Sequence, residues 1–328
     1  MTPTFDAPAL PALPQRDPSG HKGDFGRVCV IGGCAEARAR MLGAPALAAR
    51  AALRSGAGLC MLVAPDPILS ACVALTPSAT GRALPVDEEQ RIIASDACEV
   101  IDEQLDSADV AVVGVGFGVG PGQRAATLRV VQRDDCFVVV DADGLNVLAQ
   151  TPELSRDFHA SAVLTPHPGE FGRLAESLRL GKYDTASPEG RAAGAEALAQ
   201  RIGAVVILKG APAAVSDGHR TWINDQVDSA LATGGTGDVL AGLCAGLIGQ
   251  FAAKPLPPGL PEAARAKWPR DPRRPLDLFD CARLAVRIHA FAAVGWRAEH
   301  HADSGLLASE LADAIPPAMS RLREAPRS

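Results

Sequence analysis

Six short runs of almost unbroken apolar residues constrain this chain most: Arg27 to Ile31, Gly58 to Ala64, Asp109 to Val115, Cys136 to Val140, Ala162 to Leu164 and Val205 to Leu208. A strand that is apolar on both faces has to be covered on both faces. Between the runs lie segments with helical spacing, Met41 to Ser55, Ile92 to Leu105, Gln123 to Gln132 and Glu189 to Arg201. Strand and helix in alternation predict an α/β fold with a mostly parallel central sheet between two helical layers. Two short strands about the turn Asp217-Gly218 follow, then closing helices over Cys281 to Arg297 and Ser304 to Ile315, with the last dozen residues expected to fray. Of the 328 residues, 1–20 hold five prolines and read as an extended or disordered leader, and 252–276 hold seven and read as a surface insertion. Residues 21–328 then form a single domain.

Composition narrows the partners. The net charge is −6 with both signs dispersed, so no basic stripe invites nucleic acid and no polybasic segment suggests a membrane surface. No apolar run is long enough to span a bilayer, and Met1 to Gly20 lacks the basic region and apolar core of a signal peptide. A cytoplasmic protein is expected. The eight cysteines form no CxxC pair and sit near no His at zinc-like spacing, so they read as small buried hydrophobes in a reducing compartment.

The stretch Ala232-Thr233-Gly234-Gly235-Thr236-Gly237-Asp238-Val239-Leu240-Ala241-Gly242 carries the clearest chemistry. It reads as a glycine loop feeding a helix whose apolar face is Val239, Leu240, Leu243, Leu247, Ile248 and Phe251. The opposite face, Ala241, Gly242, Ala245, Gly246 and Gly249, lets another backbone approach closely. A helix start of this kind offers unpaired backbone N–H groups and partial positive charge, which together make a seat for phosphate. Asp238 in the first turn either complements the helix dipole or serves as a base at a hydroxyl reacting with a phosphoryl group.

In parallel α/β sheets ligands bind outside the carboxyl ends of the strands. That rule gathers Gly114 to Gly118, Asp141, Asp143, His167 and Glu170 into one neighbourhood. Each residue has two readings. His167, pinned between prolines, is a positioned hydrogen-bond donor or a brace for its own turn. Glu170 positions a metal-bound water or caps the next helix. Asp141 and Asp143 shape turns and caps or serve the crevice. Nothing resembles a dedicated metal cage.

The order of the motifs is more informative than any one of them. His21-Lys22-Gly23-Asp24-Phe25-Gly26, Val140-Asp141-Ala142-Asp143-Gly144-Leu145-Asn146, Leu164-Thr165-Pro166-His167-Pro168-Gly169-Glu170-Phe171, Leu208-Lys209-Gly210-Ala211 and Gly234-Gly235-Thr236-Gly237-Asp238 occur in sequence over roughly residues 21–315. The chain resembles the ADP-dependent NAD(P)H-hydrate dehydratases, a branch of the ribokinase-like superfamily with a three-layer α/β/α sandwich. The resemblance implies repair of NADH or NADPH hydrated at C6 of the nicotinamide ring, NADHX or NADPHX: ADP, or ATP, phosphorylates the ring hydroxyl and phosphate then leaves. It implies Asp238 as the base, with Ala44, Gly118, His167 and Asp238 against the hydrate. It further implies Lys209, Gly210, Ala211, Pro212, Ala213, Thr236 and Gly237 on the nucleotide, and Mg2+ carried with the phosphates. A homotetramer, and a separate epimerase to interconvert the hydrate epimers, are also implied, the fused epimerase domain of many relatives being absent.

The chain departs from the family pattern at several places, and its 252–276 insertion is longer than the family's loop. Gly114-Val115-Gly116-Phe117-Gly118 replaces GPGLG, Cys34 to Arg38 lacks the Ser and Gly usual after Gly32-Gly33, Val227 replaces a Gly, and Asp228 stands where Asn is usual. An Asp near phosphates adds repulsion unless a cation offsets it. The competing readings are a small-molecule alcohol kinase of the same superfamily, hydroxyethylthiazole-like, which shares Gly-Thr-Gly-Asp without needing the Thr165–Phe171 motif, and a nucleotide-sensing scaffold without turnover.

Overall fold

The computed structural model describes residues 9–36, 40–253 and 271–324. The apolar runs become the strands β1 Arg27–Ile31, β2 Leu59–Pro65, β4 Val110–Val113, β5 Phe137–Val140, β6 Ser161–Leu164 and β7 Val205–Leu208. With β3 Thr80–Leu84, β8 Ala214–Ser216 and β9 Thr221–Ile223 they form one nine-stranded sheet, ordered β3-β2-β1-β4-β5-β6-β7-β8-β9. Pairing is parallel from β3 to β7 and antiparallel for β7–β8 and β8–β9.

Period-two alternation splits the strands between two cores. Val28, Val30, Val110, Val112, Val139 and Ile207 face one, while Cys29, Ile31, Ala111, Val113, Val138, Val140 and Leu208 face the other. Over the first core lie α1 Gly43–Arg54, α2 Asp66–Leu75, α9 Thr236–Phe251, α10 Leu278–His300, α11 Ala308–Asp313 and α12 Ile315–Glu324. Over the second lie α3 Ala94–Leu105, α4 Pro121–Val131, α5 Asp143–Ala149, α7 Pro168–Ser177 and α8 Pro188–Ile202, with the short α6 Leu154–Asp157 beside them. This is the expected three-layer α/β sandwich.

The small face of α9 is where α1 packs. A Cβ on Gly242 would sit 2.0 Å from the Ala48 carbonyl oxygen, and one on Gly246 would sit 1.9 Å from Ser55 Oγ. Only glycine permits these two helices to approach this closely. The contact holds the middle of α9 against α1.

Several boundaries differ from expectation. The segment 66–84 holds α2 and β3, which the sequence left unassigned because β3, Thr80-Gly81-Arg82-Ala83-Leu84, is largely exposed at the sheet edge and lacks an apolar run. Of the last dozen residues, 317–324 do not fray, since α12 runs to Glu324 and buries Ile315, Ala318 and Met319; residues 325–328 lie outside the described residues. Residues 9–20 carry neither helix nor strand, yet Leu13 is buried and Arg16 lies over the Phe25 ring, 3.7 Å from its centroid. Most of the proline-rich stretch 252–276 lies outside the described residues, while its ends meet where Ala252 bridges Leu276.

Candidate functional site

β1 and β4 are neighbours, with the chain winding to β2 and β3 on one side and to β5, β6 and β7 on the other. The crevice of such a sheet opens at this switch, outside the carboxyl ends of the strands. Gly33 N donates to the Val115 carbonyl there, 3.0 Å, tying the loops after β1 and β4 together. In the β4 loop Gly114, at φ 109°, lies so near β5 that a Cβ would meet the Asp141 carbonyl at 2.2 Å. Val115 and Phe117 are fully buried, anchoring a loop that lacks the family's proline. Gly118 N donates to Asp143 Oδ2, 2.8 Å, and a Cβ on Gly116 would meet that of Ala44. Ala44, Gly118 and Asp143 thus share one wall. Asp143 acts between loops as well as in its own turn.

The opposite wall comes from β6 and β7. Thr165 Oγ1 donates to Asp141 Oδ1, 2.7 Å, and Lys209 Nζ donates to the same oxygen, 2.8 Å, with Glu170 Oε2 3.9 Å away. Asp141 and Thr165 are fully buried, so the Lys209 ammonium is held by a fixed carboxylate instead of trailing in solvent. Burial alone would depress Lys209, but Asp141 and Glu170 keep its pKa above the ordinary lysine value.

His167 performs the bracing role in full. Its Nδ1 accepts from Gly169 N, 2.9 Å, and its backbone N donates to Glu170 Oε2, 2.8 Å, the reciprocal pair of a capping box on α7. Nε2 then carries the proton of the neutral ring and faces Glu170 Oε1 at 3.3 Å. The ring is half exposed at the crevice and its pKa is lowered by burial, with Lys209 and Arg173 adding to the effect. Burial pushes Glu170 up to about 6, against the pull of Lys209.

α9 starts at Gly235 in the left-handed conformation, φ 91°, with no side-chain cap on its first turn. A Cβ on Gly237 would lie 3.4 Å from Lys209 Nζ, which places the helix start against the lysine. The Thr236 hydroxyl donates back to the carbonyls of Leu231 and Thr233, both 2.9 Å, so it braces the loop and leaves the anion seat to backbone N–H groups. Asp238 is partly buried and has no hydrogen bond or ion pair among the described residues. Burial, then the nearby Asp141 carboxylate, pushes its pKa up to about 7, with Lys209 opposing and Asp143 adding to the rise. A carboxylate that only complemented a dipole would be solvated and acidic. This one is poised to exchange a proton near neutrality.

Beside the anion seat opens a cavity of about 700 Å³. Lys209, Gly210, Ala211, Ala213, Thr236 and Gly237 line it, whereas Pro212 does not, its carbonyl being turned to the Arg191 guanidinium. Asn224, His289 and Arg297 also line it, and nothing in their local sequence marked them: His289 lies in an apolar helical run and reads as a core histidine. Its Nε2 lies 2.9 Å from the Thr236 carbonyl, and burial depresses it to about 4, so the neutral ring donates to the start of α9. Asp228, which was expected to need a cation, has one: its buried carboxylate pairs with Arg297 Nη1 at 3.1 Å. The His21–Gly26 motif stands apart, at the amino end of β1, where Gly26 packs on Gly249. Among the described residues no group of three or more His, Cys, Asp or Glu is arranged to hold a metal.

The mostly parallel sheet covered by helices on both faces is a ribokinase-like fold, with the glycine-started helix and the carboxylate in its first turn at the crevice. The family model described as NAD(P)H-hydrate dehydratase matches residues 28–317, and the chain belongs to that family. A bifunctional NAD(P)H-hydrate repair enzyme of Salinibacter ruber is 37% identical over 315 residues, 95% of this chain and 52% of the relative. An ADP-dependent (S)-NAD(P)H-hydrate dehydratase of Cenarchaeum symbiosum is 34% identical over 238 residues, 72% of this chain and 77% of the relative. The chain spans about half the length of most of the curated relatives it matches. Among solved structures, an ADP/ATP-dependent NAD(P)H-hydrate dehydratase of Bacillus subtilis, co-crystallised with ATP and Mg2+, matches with a TM-score of 0.69 at 26% identity over 95% of each chain.

Proposed function

We propose that this protein dehydrates NADHX and NADPHX to NADH and NADPH, converting ADP to AMP and phosphate. The observation that carries the reading is Asp238: an unpaired, partly buried carboxylate with a pKa near 7, in the first turn of a glycine-started helix and beside the Lys209–Asp141 pair. Asp238 takes the proton of the ring hydroxyl, whose oxygen attacks the terminal phosphorus of the nucleotide and releases AMP. Phosphate, a far better leaving group than hydroxide, then departs from C6 as the ring nitrogen supplies electrons and C5 gives up a proton.

Developing charge on the phosphoryl group is met by Lys209 and the Gly235–Gly237 amides, fixed in place before the ligand arrives. Gly210, Ala211 and Ala213 extend the nucleotide wall. Ala44 and Gly118 on one wall and the half-exposed His167 ring on the other take the hydrate between them. Among the described residues no carboxylates form a cage of their own, which fits Mg2+ carried on phosphate oxygens and water. Bound there, the ion would draw charge from the terminal phosphate.

The same reading includes a cytoplasmic setting, in keeping with eight free cysteines, seven of them buried. It also includes a homotetramer and a separate epimerase as functional partner. Among the described residues no helix is long and apolar enough to cross a membrane. Phosphorus NMR of a mixture of protein, NADHX, ADP and Mg2+ tests the chemistry. AMP and inorganic phosphate in equal amounts, formed only with the hydrate present, support the dehydratase. A persistent phosphomonoester of an added alcohol would favour the alcohol kinase.

A further inference from the structure

The cavity beside the anion seat has a far end that neither the phosphate chemistry nor the family motifs explain. Along α10, Val286, His289, Ala290 and Arg297 form a stripe facing it. His289 touches the start of α9 through the Thr236 carbonyl. Arg297 lies eight residues further along the same helix, about 12 Å at the α-helical rise, so the stripe runs from the helix start to the far end of the cavity. Between the two ends the walls are apolar, Leu240, Val286 and Ala290.

Arg297 is held there deliberately. Asp228 is buried, its Oδ1 accepting from Ala230 N at 2.9 Å and its Oδ2 from Arg297 Nη1 at 3.1 Å. The pair also lines a second, open cavity with Val294 and His301, so it forms the partition where the nucleotide cavity meets solvent. Only one guanidinium nitrogen is used among the described residues, leaving the remaining N–H donors of a planar fork for a ligand. Asn224, in the same lining, is buried with its Oδ1 unpartnered among the described residues while its Nδ2 donates to the Gln226 carbonyl. Free donors and an unsatisfied acceptor in one lining, beside the apolar walls, suit the edge of a purine.

We propose that Arg297, oriented by Asp228, is a specificity-determining residue that contacts the nucleobase of the nucleotide co-substrate. This rests on the nucleotide cavity of the proposed function. In this reading the Asp in place of Asn is the anchor for an arginine at the base end, and its charge never reaches the phosphates uncompensated.

Calorimetric titration of the full chain with ADP and, separately, with inorganic pyrophosphate, both with Mg2+, tests it. For Arg297→Gln, ADP Kd is expected to rise about tenfold with pyrophosphate Kd within twofold of wild type. Asp228→Asn, which releases the guanidinium, shifts ADP Kd the same way by less. The double variant, neutral at both positions, matches Arg297→Gln and guards against an unpaired buried carboxylate unfolding the single one. Unchanged ADP binding in folded Arg297→Gln overturns the inference, as does an equal loss for ADP and pyrophosphate. Wild-type protein that binds neither ligand overturns the nucleotide site itself, a distinguishable failure.

Discussion

At the scale of single residues the proposed base is Asp238. Its Asn variant removes the base while keeping shape, and kcat should fall about 10²–10⁴-fold, measured as NADH formation under saturating nucleotide. The base works only when deprotonated, so kcat/KM of the wild type should rise through a pH of about 7 and level off above it. Stability moves the other way. The native carboxyl holds its proton up to about pH 7 while the unfolded chain releases it near the ordinary aspartate value, so the native state binds more protons between these limits and loses stability as pH rises through that window. Asp238→Asn should therefore melt a few degrees higher than wild type at pH 8, with the gap closing towards pH 4. A variant that melts lower at pH 8 would show that the carboxylate is structurally satisfied. Lys209→Met tests the opposing charge: it leaves Asp141 buried with Thr165 alone, and removing one partner of a buried pair costs about 3–5 kcal/mol, visible as a lower melting temperature alongside a raised KM for ADP.

At the scale of elements, what the sequence made legible follows from where chemistry repeats. Strands β1, β4, β5 and β7 are apolar on both faces, which is the pattern a buried parallel strand imposes. The edge strand β3 has Thr80, Gly81 and Arg82 exposed and no such pattern to offer. Asp238, His167 and Lys209 were visible because motifs surround them. Their pairings were not, since the Lys209–Asp141 contact joins residues 68 positions apart and exists only once β5 and β7 are placed. His289 and Arg297 were invisible for another reason: a helix that is mostly core conceals a short stripe facing a cavity. The small face of α9 was readable, and it yields a paired prediction. Gly242→Ala, forced onto the Ala48 carbonyl, should cost about 1–3 kcal/mol by overpacking. Gly172→Ala on α7, where nothing lies within 4 Å, should gain about 0.5–1 kcal/mol from helix propensity. Denaturant unfolding of the two variants reads both signs.

At the scale of the whole molecule, the two cores and the nine-stranded sheet hold the crevice walls on separate elements, α1 and the β4 loop on one side, β6, β7 and α9 on the other. A nucleotide that spans from Lys209 to the far end of its cavity should stabilise the fold by about 2.7 kcal/mol at a hundredfold excess over Kd, raising the melting temperature of wild type. The most direct test of the central claim is absorbance at the reduced-nicotinamide band when purified protein meets NADHX, Mg2+ and either ADP or ATP, with Asp238→Asn run beside it. Nucleotide-dependent appearance of NADH, lost in the variant, is the predicted result. Folded wild-type protein that yields no NADH with either nucleotide, or a variant as active as wild type, would contradict it.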